Sequence, residues 1–425
     1  MTPAVSHVSK RAALYGRRHR MLCAAAATAA WAVVMSGTAT AATITDPQAK
    51  QWYLDAMHAE EIWKTATGEG IKVAVIDSGV NASTPSLQGQ VLKGHDFTGI
   101  DGEETDDYTG HGTSMAEIIA GTGQGGGLKG LAPGAKIIPY RVSDTDLQNE
   151  KKVNAFDIQQ AIRAAADSDA QIINVSMGSE FYSSEERDAV EYAQSKGKLF
   201  FAAAGNTGDG PNKEEYPAAY PEAIAVTGSG LDGKVAKFSQ HGNFVDIAAP
   251  GADIPSWCDE NFKSYCDRNG TSHATAIASA SAALIWSKHP EWTGNQVLRV
   301  MFESAGRGKG WKPGTVSNFL GHGIVRPGAH INRGLGKPGA PDVSPLTNEK
   351  VGGATSGSAA SPAPSAPASS QAPEGKPGSD AAVAGSSEKA GADGGGTPWL
   401  VVGGAAAVVV VAGAAFAVAR RRRSA

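Results

Sequence analysis

The chain has 425 residues, three cysteines and a net charge of −4; it is too long for one average domain and long enough to bury a large core. Nine of its 38 basic residues lie in the first 41 positions and the final arginine run, where there is no acid, so the part between carries 29 bases against 42 acids, a net −13. So acidic a body argues against nucleic-acid binding, and the lack of a CxxC motif or a His/Cys cluster argues against a zinc site.

In chain order the first element is an export signal. Lys10, Arg11, Arg17, Arg18 and Arg20 precede the weakly apolar run Met21–Met35, and Ala39-Thr40-Ala41 fits a small-residue cleavage site. Residues 1–41 therefore read as a secretory signal peptide. RRHRML is a poor twin-arginine match, and Cys23 lacks the small residue that precedes a lipidated cysteine. Residues 42–70 form a short N-terminal extension. From 71 to 335 the pattern alternates. IKVAVID (71–77), AKIIPYRV (135–142), AQIINVSMG (170–178), KLFFAAAGN (198–206) and AIAVTGSG (223–230) are short apolar runs, and between them lie helical stretches such as Ala155–Asp167 and Ser184–Lys196. Apolar strands alternating with amphipathic helices imply an α/β fold, a mostly parallel sheet with helices on both faces. In such sheets ligands gather at the carboxyl ends of the strands, where Asp77, Ser176 and Asn206 fall.

Residues 336–397 collapse to Gly, Ala, Pro and Ser and read as an extended linker. At 398–419 comes a transmembrane helix: Leu400–Val418 is free of charge, and Arg420–Arg423 follow it in a basic tail, 420–425, expected on the cytoplasmic side. No LPxTG-like motif precedes the span. The expected location is the cell membrane, single-pass, with the main domain extracytoplasmic. After export Cys258 and Cys266 are the remaining cysteines, and in an oxidising compartment that pair reads as a disulfide. So short a loop contributes about 2–3 kcal/mol in the chain-entropy model, less any strain.

The chemistry lies in three motifs: DSG at Asp77–Gly79, GHGTSMA at Gly110–Ala116 and GTSHATA at Gly270–Ala276. Together they present an acid, a histidine and a serine, the chain order of subtilisin's triad. A serine hydroxyl is a weak nucleophile until a base takes its proton. His111 would take it and later protonate the leaving amine, and Asp77 would hold the imidazole's tautomer. His273, beside Ser272, is a poor base for it, since neighbours on a helix point about 100° apart. It reads as a packing or polar residue; the alternative is that it perturbs the pH dependence of the site. His58, His95, His241, His289, His322 and His330 match no catalytic motif, and the pairs Asp106-Asp107 and Glu214-Glu215 read as solvated surface, with one exception given below.

On these motifs, and on LAPGAKIIPYRV, INVSMG, AAAGN, YPAAYPEAIAVTG and FSQHGNFVDIAAPG, the chain resembles the subtilase family of serine proteases from Trp52 to about Arg333. The resemblance implies a subtilisin-like three-layer fold and a serine endopeptidase with catalytic Asp77, His111 and Ser272. It implies that Asn206 donates to the oxyanion, a contact whose loss costs roughly 10²–10³ in turnover. It implies strand-like binding of a peptide along Ser176, Met177 and Gly178, and it brings Glu215 near the primary specificity pocket, where a carboxylate favours Lys or Arg before the scissile bond. Ala276 replaces the family's usual proline, and no loss of activity follows from that, alanine being a good helix former. No cofactor is required; structural calcium is left open, with no clear ligand loop. The short N-terminal segment without room for a propeptide, the cysteine loop before the serine, the Pro-rich stalk and the C-terminal helix together look like mycosins, membrane-anchored subtilases associated with type VII secretion. That likeness implies a secretion membrane complex as partner, and as alternatives a mainly structural role in such a complex, or a general surface protease unrelated to it.

Overall fold

The structure, a computed structural model, describes residues 46–151, 157–309, 311–312 and 314–351. The expected signal peptide, transmembrane helix and basic tail lie outside the described residues, as does the expected linker beyond 351. Among the described residues no helix is long and apolar enough to cross a membrane.

The chain enters through α1 (Trp52–Ala56) and α2 (Ala59–Trp63), then β1 (Lys72–Asp77), β2 (His95–Asp96), α3 (His111–Ala120), β3 (Lys136–Arg141), α4 (Thr145–Lys151) and α5 (Asp157–Asp167). It continues through β4 (Ile172–Val175), α6 (Ser184–Ser195), β5 (Leu199–Ala203), β6 (Ile224–Ser229) and β7 (Ile247–Pro250). A hairpin of β8 (Ile254–Trp257) and β9 (Tyr265–Arg268) precedes α7 (Thr271–Lys288), α8 (Gly294–Ser304) and α9 (Pro327–Ile331). The main sheet has the order β2-β3-β1-β4-β5-β6-β7, all neighbours parallel.

Both faces of the strands are apolar. Val73, Val75, Ile137, Ile172, Leu199 and Phe201 pack in one layer with α3, α7 and α8. Their neighbours Ala74, Ile76, Ile138, Ile173 and Phe200 pack in the other with α5 and α6. A strand between two helical layers has to be apolar on both sides, and each large side chain so buried contributes about 1.5–3 kcal/mol. Helix α7 is buried from Thr271 to Trp286. Its run of Ala, Ser and Thr lets its backbone pass close to the sheet, and Ser279 Oγ donates to Asn174 Oδ1 at 2.9 Å.

The strand order reverses at β1: the chain goes to β2 and β3 on one side, then to β4 on the other. The crevice at the carboxyl ends of β1 and β4 is thus the topological switch point, where ligands bind in open parallel sheets.

Both ends of the described chain belong to this domain. Trp63 Nε1 donates to Leu131 O at 2.9 Å and Trp52 Nε1 to Ala252 O at 3.0 Å, so residues 46–70 are packed on the α/β body. The first residues of the expected linker are bonded to this domain: Thr293 Oγ1 and Asn295 Nδ2 both donate to Pro341 O, and Lys337 N donates to Glu303 Oε2 at 2.8 Å. Polar groups around α8 thus supply partners to this Gly- and Pro-rich segment.

Candidate active site

Asp77 ends β1, is 1% exposed, and its Oδ1 lies 2.7 Å from Nδ1 of His111, the first residue of α3. The helix comes this close because residue 112 is glycine: a Cβ there would run into Gly79 O and sit 3.0 Å from the Asp77 Cβ. Burial works against the imidazolium, but the charge and hydrogen bond of Asp77, with the charges of Asp107 and Asp144, outweigh it and raise the His111 pKa above its ordinary value.

Asp107 holds this turn. Its Oδ1 accepts from Ser78 Oγ (2.8 Å), Thr109 N (3.0 Å) and Gly110 N (2.9 Å). Its Oδ2 accepts from Thr113 N (2.9 Å) and Thr113 Oγ1 (2.6 Å). Asp107 is buried, so the expectation of solvated surface for the Asp106-Asp107 pair is corrected for this residue. Donors at the start of α3 stabilise the carboxylate and fix the segment that carries His111. The available signal was position: an acid four residues before His111, where a helix start leaves backbone N–H groups without partners.

Ser272 is the second residue of α7 and is buried. Its Oγ donates to Ser176 O at 3.0 Å, and among the described residues no hydrogen bond joins it to His111. Both residues nevertheless line one cavity of about 280 Å³. Asn206 lines it too, and its Oδ1 accepts from Thr271 N at 2.8 Å, which leaves Nδ2 as the amide's donor. It stands on a turn that needs glycine: Gly205 has φ +106°, and a Cβ there would collide with Gln240 Oε1. The backbone N–H of Ser272, in the first turn of the helix, has no intrahelical partner.

His273 points away from Ser272. Its Nε2 meets Ser256 Oγ at 2.9 Å, and Nδ1 is without a hydrogen-bond partner among the described residues. Burial, and then the charge of His111, push its pKa down to about 3. A neutral ring adds no charge to the site at working pH, which favours the packing reading over the pH-perturbing one. We expect His273→Met to leave the acid limb of the pH–kcat/KM profile in place, while losing about 1 kcal/mol of stability with the Ser256 bond. A limb displaced by half a pH unit or more would show the opposite.

Ser176, Met177 and Gly178 line a groove of about 740 Å³ that also takes in Asp77, His111, Phe181 and Tyr216. Glu215 is half-buried behind that segment rather than in the groove wall. A Cβ on Gly205 would lie 2.8 Å from its Cδ, and one on Gly178 would lie 3.2 Å from its Oε2. Its carboxyl therefore sits between the Ser176–Gly178 segment and the Asn206 turn. Burial raises its pKa, partly offset by a hydrogen bond from Gln240.

Cys258 and Cys266 form a disulfide across the β8–β9 hairpin. The hairpin leans on α3: Trp257 N donates to Ser114 Oγ at 3.0 Å, and Tyr265 Oη to Glu117 Oε2 at 2.8 Å. Glu117 is fully buried, and burial pushes its pKa up to about 7 against hydrogen bonds from Ser86 and Tyr265. No local sequence pattern marks it, because its partners Ser86 and Tyr265 are distant in the chain. Among the described residues no three His, Cys, Asp or Glu side chains converge as a metal site.

The model of the subtilase family matches residues 68–323. The chain is 37% identical to the thermophilic serine proteinase of Bacillus sp. (strain AK1) over 233 residues, which is 54% of this chain and 56% of that protein. It is 34% identical to thermitase of Thermoactinomyces vulgaris over 289 residues, 65% of this chain and 98% of thermitase. The fold is similar to that of the serine protease MycP1, described as an essential component of the type VII (ESX-1) secretion system. The TM-score is 0.57 at 29% identity, covering 69% of this chain and 91% of MycP1.

Proposed function

Because the chain belongs to the subtilase family of serine proteases, we propose that it is a serine endopeptidase that cleaves peptide bonds with Asp77, His111, Ser272 and Asn206. The observation that carries this reading is the His111 Nδ1–Asp77 Oδ1 contact of 2.7 Å at the mouth of a peptide-sized groove, with Ser272 in the adjoining cavity. A peptide adds as a strand along Ser176–Gly178, which brings its carbonyl to Ser272. The serine hydroxyl turns from Ser176 O toward His111 Nε2; such bonds often tighten only when substrate is bound. His111 takes the proton as Oγ attacks. Asp77 stabilises the imidazolium that results, while Asn206 Nδ2 and the Ser272 N–H donate to the oxyanion. His111 then protonates the leaving amine, and water hydrolyses the acyl-enzyme by the same steps.

The rest of the reading concerns setting. The protein is exported by the signal at 1–41 and held at the cell membrane by the apolar span at 398–419, with its catalytic domain extracytoplasmic. Likeness to MycP1 supports a place beside a type VII secretion complex. The carboxyl of Glu215, close behind the peptide-binding segment, selects Lys or Arg before the scissile bond.

A fluorophosphonate probe, followed by cleavage profiling of a peptide panel, tests this. We expect one covalent label, on Ser272, and cleavage after Lys or Arg. A folded protein that takes no label would refute the protease, and preference for alanine or large apolar residues would refute the role of Glu215.

A further inference from the structure

Two cavities adjoin at His111, and their charges differ. The groove of about 740 Å³ that contains the 176–179 segment is walled, among the described residues, by Asp77, Asp144, Asp157 and Glu186 and by no lysine or arginine. The cavity of about 280 Å³ contains Ser272 and Asn206 but not that segment, and among the described residues its wall holds Arg268 and no carboxylate. Both include Thr109 and His111. A peptide paired along 176–178 therefore lays its acyl half in the acidic groove. Its leaving half passes His111 and Ser272 into the smaller cavity.

Arg268 ends β9, two residues beyond Cys266, so the disulfide fixes the strand it stands on. Its Nη2 donates to Cys258 O at 2.6 Å, and among the described residues it enters no ion pair. That single bond orients the guanidinium and leaves its other donors free. The ring of His273 lines the same cavity but is held neutral, so Arg268 is the fixed charge there. A planar fork of donors matches a carboxylate.

We propose that Arg268 is a specificity residue of the leaving side and selects a carboxylate within the first two residues after the scissile bond. The inference rests on the protease reading above. An Asp or Glu side chain and the free C-terminus of a short leaving peptide offer the same chemistry, so the test separates them.

The full chain is assayed on internally quenched, amidated peptides that share one acyl half, taken from the cleavage profile, and carry Glu, Gln or Lys at the first or second leaving position. A second set ends at the second leaving position with either a free carboxylate or an amide. Each protein's rates are divided by its own rate on the matching p-nitroanilide, which has no leaving residues. We expect kcat/KM to favour Glu over Lys by about fivefold, with the preference shrinking as salt rises. Arg268→Gln removes that preference, Arg268→Glu inverts it, and Arg268→Lys restores most of it. A preference seen only with the free-carboxylate set supports the inference with the chain terminus as the ligand. Equal cleavage of Glu and Lys peptides and of free and amidated ends by the wild type overturns the inference, provided the nitroanilide is cleaved. So does a Glu preference that survives Arg268→Glu. A nitroanilide that is not cleaved at all refutes the protease reading, and this inference with it.

Discussion

Ser272→Ala is expected to lower kcat for peptide hydrolysis by about 10⁶ and to leave the fold intact. The hydroxyl's observed bond runs to Ser176 O, and losing one such bond costs about 1 kcal/mol. Alanine is a good residue in the first turn of α7. Circular dichroism and thermal melting should therefore match the parent closely, while turnover and probe labelling vanish. A variant that keeps activity within tenfold of the parent would remove Ser272 from the role of nucleophile. The same variant weighs the structural alternative: secretion that survives Ser272→Ala but stops on deletion of the protein would make scaffolding its dominant role.

Asp77→Asn should cost about 10⁴ in kcat and also move the pH profile. The base works as the neutral imidazole, so the rate rises as pH climbs through the His111 pKa. That pKa is raised in the parent because the charge and hydrogen bond of Asp77, with the charges of Asp107 and Asp144, outweigh burial. The parent's acid limb should therefore lie above the ordinary histidine value of about 6.5. With the carboxylate gone, burial is opposed only by the weaker charges of Asp107 and Asp144, so the limb should shift to lower pH. Measurement of kcat/KM from about pH 5 to 9 on both proteins decides the matter. A limb that stays in place or moves to higher pH would mean that Asp77 does not set the histidine's charge.

These two effects rest on residues that were visible in the chain alone. Short apolar runs end at Asp77, Ser176 and Asn206, and the sheet does set all three at its carboxyl edge. Helix spacing argued that His273 could not face Ser272, and its ring turns to Ser256. Asp107 departs from the surface position that an adjacent acid pair usually takes. What buries it is the turn of α3 together with Ser78, which is 29 residues away. Burial of Glu117 is not legible locally for a similar reason, since the hydroxyl that meets it comes from Tyr265, 148 residues on. Residues 337–341, which composition placed in a linker, find their partners on and beside α8.

By itself the sequence determined the α/β alternation, the cysteine pair, and the order of the three motifs that carry the proposed acid, histidine and serine. Those are local patterns, set by which faces of a strand or helix must be apolar and by motifs a few residues long. The tertiary structure decided which carboxylates are buried, where Glu215 stands, and that an acidic groove and a cavity bearing Arg268 adjoin at His111. Burial and field depend on what packs against a side chain from distant parts of the chain, and no window along the sequence contains those neighbours.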